Sequence, residues 1–174
     1  GIPGEQFMRL YINDGLQNPI RLAKEFVKFN ERCFVRLLGD MHSSNFVVDV
    51  TPDFEETHYR IRAIDFDQQS YEGSFKLYKP HLFKENFQYN QLVQNKLSQS
   101  SIEQYQNEER SVLVKRLRDS KVRIHDLLVA MKSTPLAPKE HIEQLGKEIY
   151  NYTLDLNFKK ATSMGEIVEA ALNF

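Results

Sequence analysis

Residues 38–46 read Leu-Gly-Asp-Met-His-Ser-Ser-Asn-Phe (LGDMHSSNF) and residues 64–67 read Ile-Asp-Phe-Asp (IDFD). Both stretches place polar, chemistry-bearing side chains at the ends of short apolar runs. Taken singly, Asp40 after Gly39 and Asn45 before Phe46 are ordinary turn formers, because Asp and Asn bond their own backbone. Taken together they form a pattern: Asp and Asn five positions apart, a β-branched run directly after, and a second run closing on Asp65 and Asp67.

Working outward, the apolar run Cys33–Leu38 stops at Gly39 and predicts a strand. Asn45–Val50 is β-branched and ends in the turn cluster Thr51-Pro52-Asp53, predicting a second strand. Tyr59–Asp65 alternates apolar and polar residues, the period-2 pattern of a half-buried third strand. The acidic segment between the last two reads as an extended hairpin loop. Upstream, Asn18-Pro19 is a helix-start signal with Asn as N-cap, and Ile20, Ala23, Phe26 and Val27 share one helical face ending near Asn30. From Phe83 onward the period is helical. Ser100 to Glu103 reads as a capping box, and Pro138 opens a helix whose face is Ile142, Leu145, Ile149, Tyr152 and Leu156. Ser163 to Glu166 opens a last short helix by the same box. The expected fold is therefore α+β and mainly helical, a single domain over 1–174 in which a small β-meander precedes four or five bundled helices.

Bulk properties narrow the function classes. A net charge of −1 gives no global attraction to nucleic acid or to an anionic membrane. The apolar runs are too short to span a bilayer. The one cysteine, Cys33, permits no internal disulfide, which fits a reducing compartment and a cytoplasmic setting.

The spacing from Asp40 to Asn45 matches the D-x-x-x-x-N catalytic loop of kinases, and Asp65 follows a strand in a D-F-x context. The text GDMHSSNF…IDFD resembles the signature of the aminoglycoside and choline phosphotransferases, within the protein-kinase-like superfamily. That resemblance covers residues 33–73 and implies a kinase-like C-terminal lobe. It also implies transfer of the γ-phosphoryl of ATP or GTP to a hydroxyl acceptor, small molecule or protein, with Mg²⁺ as cofactor. On it, Asp40 orients or deprotonates the acceptor and His42 braces the loop or contacts the metal aspartate. Asn45 and Asp65 hold metal and nucleotide, and Asp67 is a further acidic group near the metal. A complete enzyme of this kind needs an N-terminal lobe with a strand lysine and a phosphate-covering loop. Lys24 and Lys28 instead fall on a predicted helix, and Leu38 stands where the family has His. The expectation is therefore either a fragment of a longer enzyme or a product that has lost half of the nucleotide site, inactive in isolation.

Two other readings stand beside this one. A kinase-like lobe also serves as a non-catalytic interaction module. A metal-dependent phosphoesterase uses similar residue types, but needs a D-x-H ahead of the loop and later histidines at ligand spacing. His58, His81, His125 and His141 show no such spacing. Glu72, in Tyr71-Glu72-Gly73, reads as a turn residue with a functional role as the alternative. The basic run Lys115, Arg116, Arg118, Lys121 and Arg123 reads first as a charged helix face, with contact to phosphate or an acidic partner as the alternative.

Overall fold

The computed structural model describes residues 1–65 and 74–174, and of residues 12–14 the backbone. Asp67 and Glu72 therefore lie outside the described residues. Strand β1 (Ile2–Pro3) leads into helix α1 (Gly4–Asp14) and helix α2 (Pro19–Arg36), followed by strands β2 (Phe46–Pro52) and β3 (Thr57–Ala63). The three strands form an antiparallel sheet in the order β1-β2-β3, with Phe46 opposite Ala63 and Val48 opposite Ile61. On β3, Thr57, Tyr59 and Ile61 are buried and His58, Arg60 and Arg62 exposed, so the predicted alternation holds. Three 3-10 turns (Phe75–Tyr78, Pro80–Leu82, Lys84–Asn86) then lead to six helices. These are α3 (Phe87–Lys96), α4 (Gln99–Asp119), α5 (Lys121–Ser133), α6 (Lys139–Thr153), α7 (Leu156–Lys160) and α8 (Met164–Asn173). The architecture is α+β and mainly helical, as expected.

The predicted first strand is overturned. Cys33–Arg36 is the last turn of α2, which runs well past Asn30. The cause is two-sided burial. Phe26, Phe29 and Cys33 pack in a cluster with Phe46, Val48, Ile61 and Tyr89. Phe34, Val35 and Leu37 pack in a second cluster with Tyr78, Leu145, Phe158 and Ile167. A helix end buried on two sides, with Arg36 exposed, carries no single apolar stripe, so its sequence looks like a continuous apolar strand. It ends in a Schellman arrangement: Leu38 N donates to Cys33 O at 2.9 Å and Leu37 N to Phe34 O at 3.2 Å. Leu37 takes the left-handed backbone there (φ 46°), where glycine is the usual signal.

Smaller departures follow from local chemistry. Asn18 occupies the N-cap of α2, but its Oδ1 accepts from Thr57 N at 2.8 Å, tying the helix to the end of the hairpin instead of capping it. The hydroxyl that caps α4 belongs to Ser98, accepting from Ser101 N, two residues before the predicted box. Ser163 caps α8 as predicted, while Glu166 reaches back to Thr162 N. Of the face predicted for α6, Ile142, Leu145 and Ile149 are buried; Tyr152 is exposed and Leu156 opens α7.

Candidate functional site

The loop between α2 and β2 carries Asp40, His42 and Asn45, and its backbone is held from several elements at once. Asp40 N donates to Leu77 O at 2.9 Å. Met41 O accepts from the side chain of Asn86 at 2.9 Å, and the same amide nitrogen reaches Pro80 O at 2.7 Å. Ser43 O accepts from Glu5 N at the start of α1, at 3.1 Å. Asn45 N turns back to His42 O at 2.8 Å, and Asn45 O accepts from Ile64 N at 3.0 Å. That last bond continues the β2–β3 ladder by one step and sets Asp65, the next residue, beside the exit of the loop. Gly4 lets α1 approach this closely, since a Cβ on it would fall 2.3 Å from the Phe46 ring and 2.8 Å from Ser43 O.

Within the loop three predicted residues meet. Asp40 adopts a left-handed backbone, φ 59°. Asn45 Nδ2 donates to Asp40 O at 2.7 Å and lies 3.5 Å from Asp40 Oδ2 and 3.2 Å from His42 Nε2. His42 Nε2 is 3.8 Å from Asp40 Oδ2, and its Nδ1 faces Ser44 N at 3.4 Å. With Nε2 unprotonated the ring accepts from the Asn45 amide; with Nε2 protonated it faces the carboxylate. The Phe83 ring meets the imidazole edge-to-face, with ring centres 6.1 Å apart. The Asp40 and His42 side chains remain 29% and 27% exposed, enough for a reactant to reach them.

The donor set suits a hard cation. The Asn45 nitrogen is committed to Asp40, so its Oδ1 is the end available to a metal; Asp65, one residue beyond the Ile64–Asn45 backbone bond, is half-buried. Among the described residues no three His, Cys, Asp or Glu side chains gather as a metal cluster. Mg²⁺ needs none, because it is commonly held by one or two protein oxygens and keeps its waters.

Comparison of the chain with models of known protein families, with curated proteins and with solved structures returns no match. The site is therefore read from its own geometry. Lys24 and Lys28 lie on α2, 3.5 and 3.1 Å from Glu108 of α4, and Lys24 also covers the Tyr105 ring. They serve helix packing; the Lys28 contact is the main cause of the lowered Glu108 pKa. His58 binds Asp53 at 2.7 Å, while His81, His125 and His141 lie on separate elements, giving no paired-metal set among the described residues. Sequence reading missed Asn86, which is buried and bridges Met41 to Pro80. It carries no motif and stands far along the chain. Among the described residues no helix is long and apolar enough to cross a membrane.

Proposed function

We propose that this chain is the acceptor- and metal-side lobe of a kinase-like phosphotransferase, acting on a hydroxyl acceptor once a nucleotide-covering lobe completes it. The observation that carries the reading is the 2.7 Å hydrogen bond from Asn45 Nδ2 to Asp40 O. It explains why the two residues stand five apart: the amide locks the loop with its nitrogen and presents its oxygen to a cation. The backbone bond from Ile64 N to Asn45 O, which brings the chain just before Asp65 to the end of the loop, supports Asp65 as the second ligand.

In this reading the Asp40 carboxylate accepts a hydrogen bond from the acceptor hydroxyl and receives its proton as the oxygen–phosphorus bond forms. The bond from phosphorus to the bridging oxygen breaks, and the nucleoside diphosphate leaves. Asn45 and Asp65 would hold Mg²⁺, which supplies charge neutralisation on the phosphates. His42 orients Asp40 and Asn45 by sitting between them. Most of the barrier reduction comes from positioning, which suits a loop whose backbone is anchored on α1, the residue after β3, and the first and third 3-10 turns.

The test is phosphoryl transfer by the chain completed with its nucleotide lobe. Asp40→Asn and Asp65→Asn are each expected to lower transfer by about 10²- to 10⁴-fold, the range for losing a general base or a comparable charge. Circular dichroism should be unchanged. Full activity in either variant overturns the mechanism.

A further inference from the structure

A cavity of about 1090 Å³ lies between α2, β3, α4, α5 and α8. Its wall includes six arginines, Arg32, Arg36, Arg60, Arg62, Arg116 and Arg123, and no acidic residue among the described residues. Its floor is apolar, with Leu117, Leu128 and Leu172 among the contributors. Such a concentration of one charge is unexpected in a chain whose net charge is −1.

The arginines divide into two groups. Arg32 is buried and spent on the fold: it donates to Glu25 at 2.5 Å, to Ile61 O at 3.0 Å, and lies 3.4 Å from Glu109. Arg62 pairs with Asp49 at 3.1 Å, and Arg60 is 4.0 Å from Glu25. Arg36, Arg116 and Arg123 are exposed and make no ion pair among the described residues. Burial, with the Arg32 and Arg116 guanidiniums adding to it, lowers the Arg60 pKa against the pull of Glu25 and Glu109, so the positive charges on this wall feel one another. The basic run in the α4–α5 sequence is thus more than a solvated helix face: Arg116 and Arg123 from it meet Arg36 of α2 and Arg60 of β3 around one apolar hollow.

We infer that this cavity binds a single-chain amphiphile with a phosphate head, the chain on the leucine floor and the head against Arg36, Arg116 and Arg123. A guanidinium presents a planar fork matched to phosphate oxygens, and a phosphate monoester carries about −1.5 to −2 charges near neutral pH, more than one carboxylate can supply to three unpaired cations. The hollow is at the upper end of the size that encloses small ligands. An inorganic anion would leave the floor wet, and an uncharged chain would leave the arginines unmatched. The inference stands apart from phosphoryl transfer, although Leu38 and Ala63 on the cavity wall each precede a site aspartate by two residues.

Calorimetric titration of the chain with dodecyl phosphate, below its micelle concentration, should show one site. Dodecanol and inorganic phosphate should each bind at least about tenfold more weakly, a difference of about 1.4 kcal/mol. The triple variant R36A/R116A/R123A removes only exposed, unpaired charges, so its circular dichroism should match the parent. Its dodecyl phosphate affinity should fall at least about tenfold, with dodecanol binding unmoved. Absence of dodecyl phosphate binding, equal affinity for dodecanol, equal affinity for inorganic phosphate, or an unaffected triple variant would each overturn the assignment.

Discussion

At Asp40 one side chain answers to both chemistry and backbone. Its φ of 59° lies in the left-handed region, which costs an L-residue roughly 1–2 kcal/mol. Asp and Asn tolerate that region better than Ala because their short polar side chains bond locally. Asp40→Ala should therefore lower the unfolding free energy by about 1 kcal/mol, while Asp40→Asn stays within about 0.5 kcal/mol of the parent. Denaturant unfolding of the three proteins checks this, and equal midpoints for the Ala and Asn variants would show that the backbone places no demand on the residue. Asn is consequently the variant for testing catalysis, since it separates the carboxylate from the fold. The same scale shows why part of the site was readable. Asp40 and Asn45 bond to each other across five positions, so their relation is written locally. Leu77 and Pro80 reach the site through carbonyl oxygens, which every residue has, and Asn86 arrives from 41 positions beyond Asn45 with no flanking pattern. Nothing in residue identity marks such partners.

Elements were legible wherever one face met solvent. The alternation on β3 and the face of α6 up to Ile149 come from one-sided burial, and the sequence period predicts both. The end of α2 reads as a strand because its two sides serve different clusters and because Leu37 replaces the usual stop glycine. The hairpin turn between β2 and β3 offers a test at this scale. Asp53 accepts from Glu55 N at 3.0 Å and Glu56 N at 2.9 Å and pairs with His58, and these contacts, the backbone amides first, lower its pKa to about 2. An unfolded-chain aspartate titrates near ~3.9. Because the folded value is the lower, the ionised carboxylate stabilises the native state above about pH 4, and that contribution fades as pH falls toward 2. Comparing the parent with Asp53→Ala by denaturant unfolding should give a stability gap that is largest above pH 4 and narrows below it. A gap independent of pH from 6 down to 2.5 would assign the turn's stability to something other than this carboxylate.

Over the whole molecule, α2 is the member common to both hydrophobic clusters, with Cys33 on one side and Phe34 on the other. The site loop inherits that arrangement. Met41 and Phe46 sit in the cluster that includes the sheet, whereas Asp40 N hangs on Leu77, which packs against the helical cluster. Loss of either cluster would release one end of the loop, so a preorganised site requires the two to unfold together. Cys33 reports on this directly. It is fully buried, and burial pushes its thiol up to about 12, so at pH 8 the native protein offers almost no thiolate to a disulfide reagent. Labelling must wait for an opening that exposes α2. With 5,5′-dithiobis(2-nitrobenzoate) at pH 8, the denaturant midpoint for Cys33 labelling should coincide with the loss of helical circular dichroism, as a two-state unit requires. Labelling complete at lower denaturant would mean that the sheet side opens by itself, and the loop would then lose its anchor at Met41 while the helices still stood.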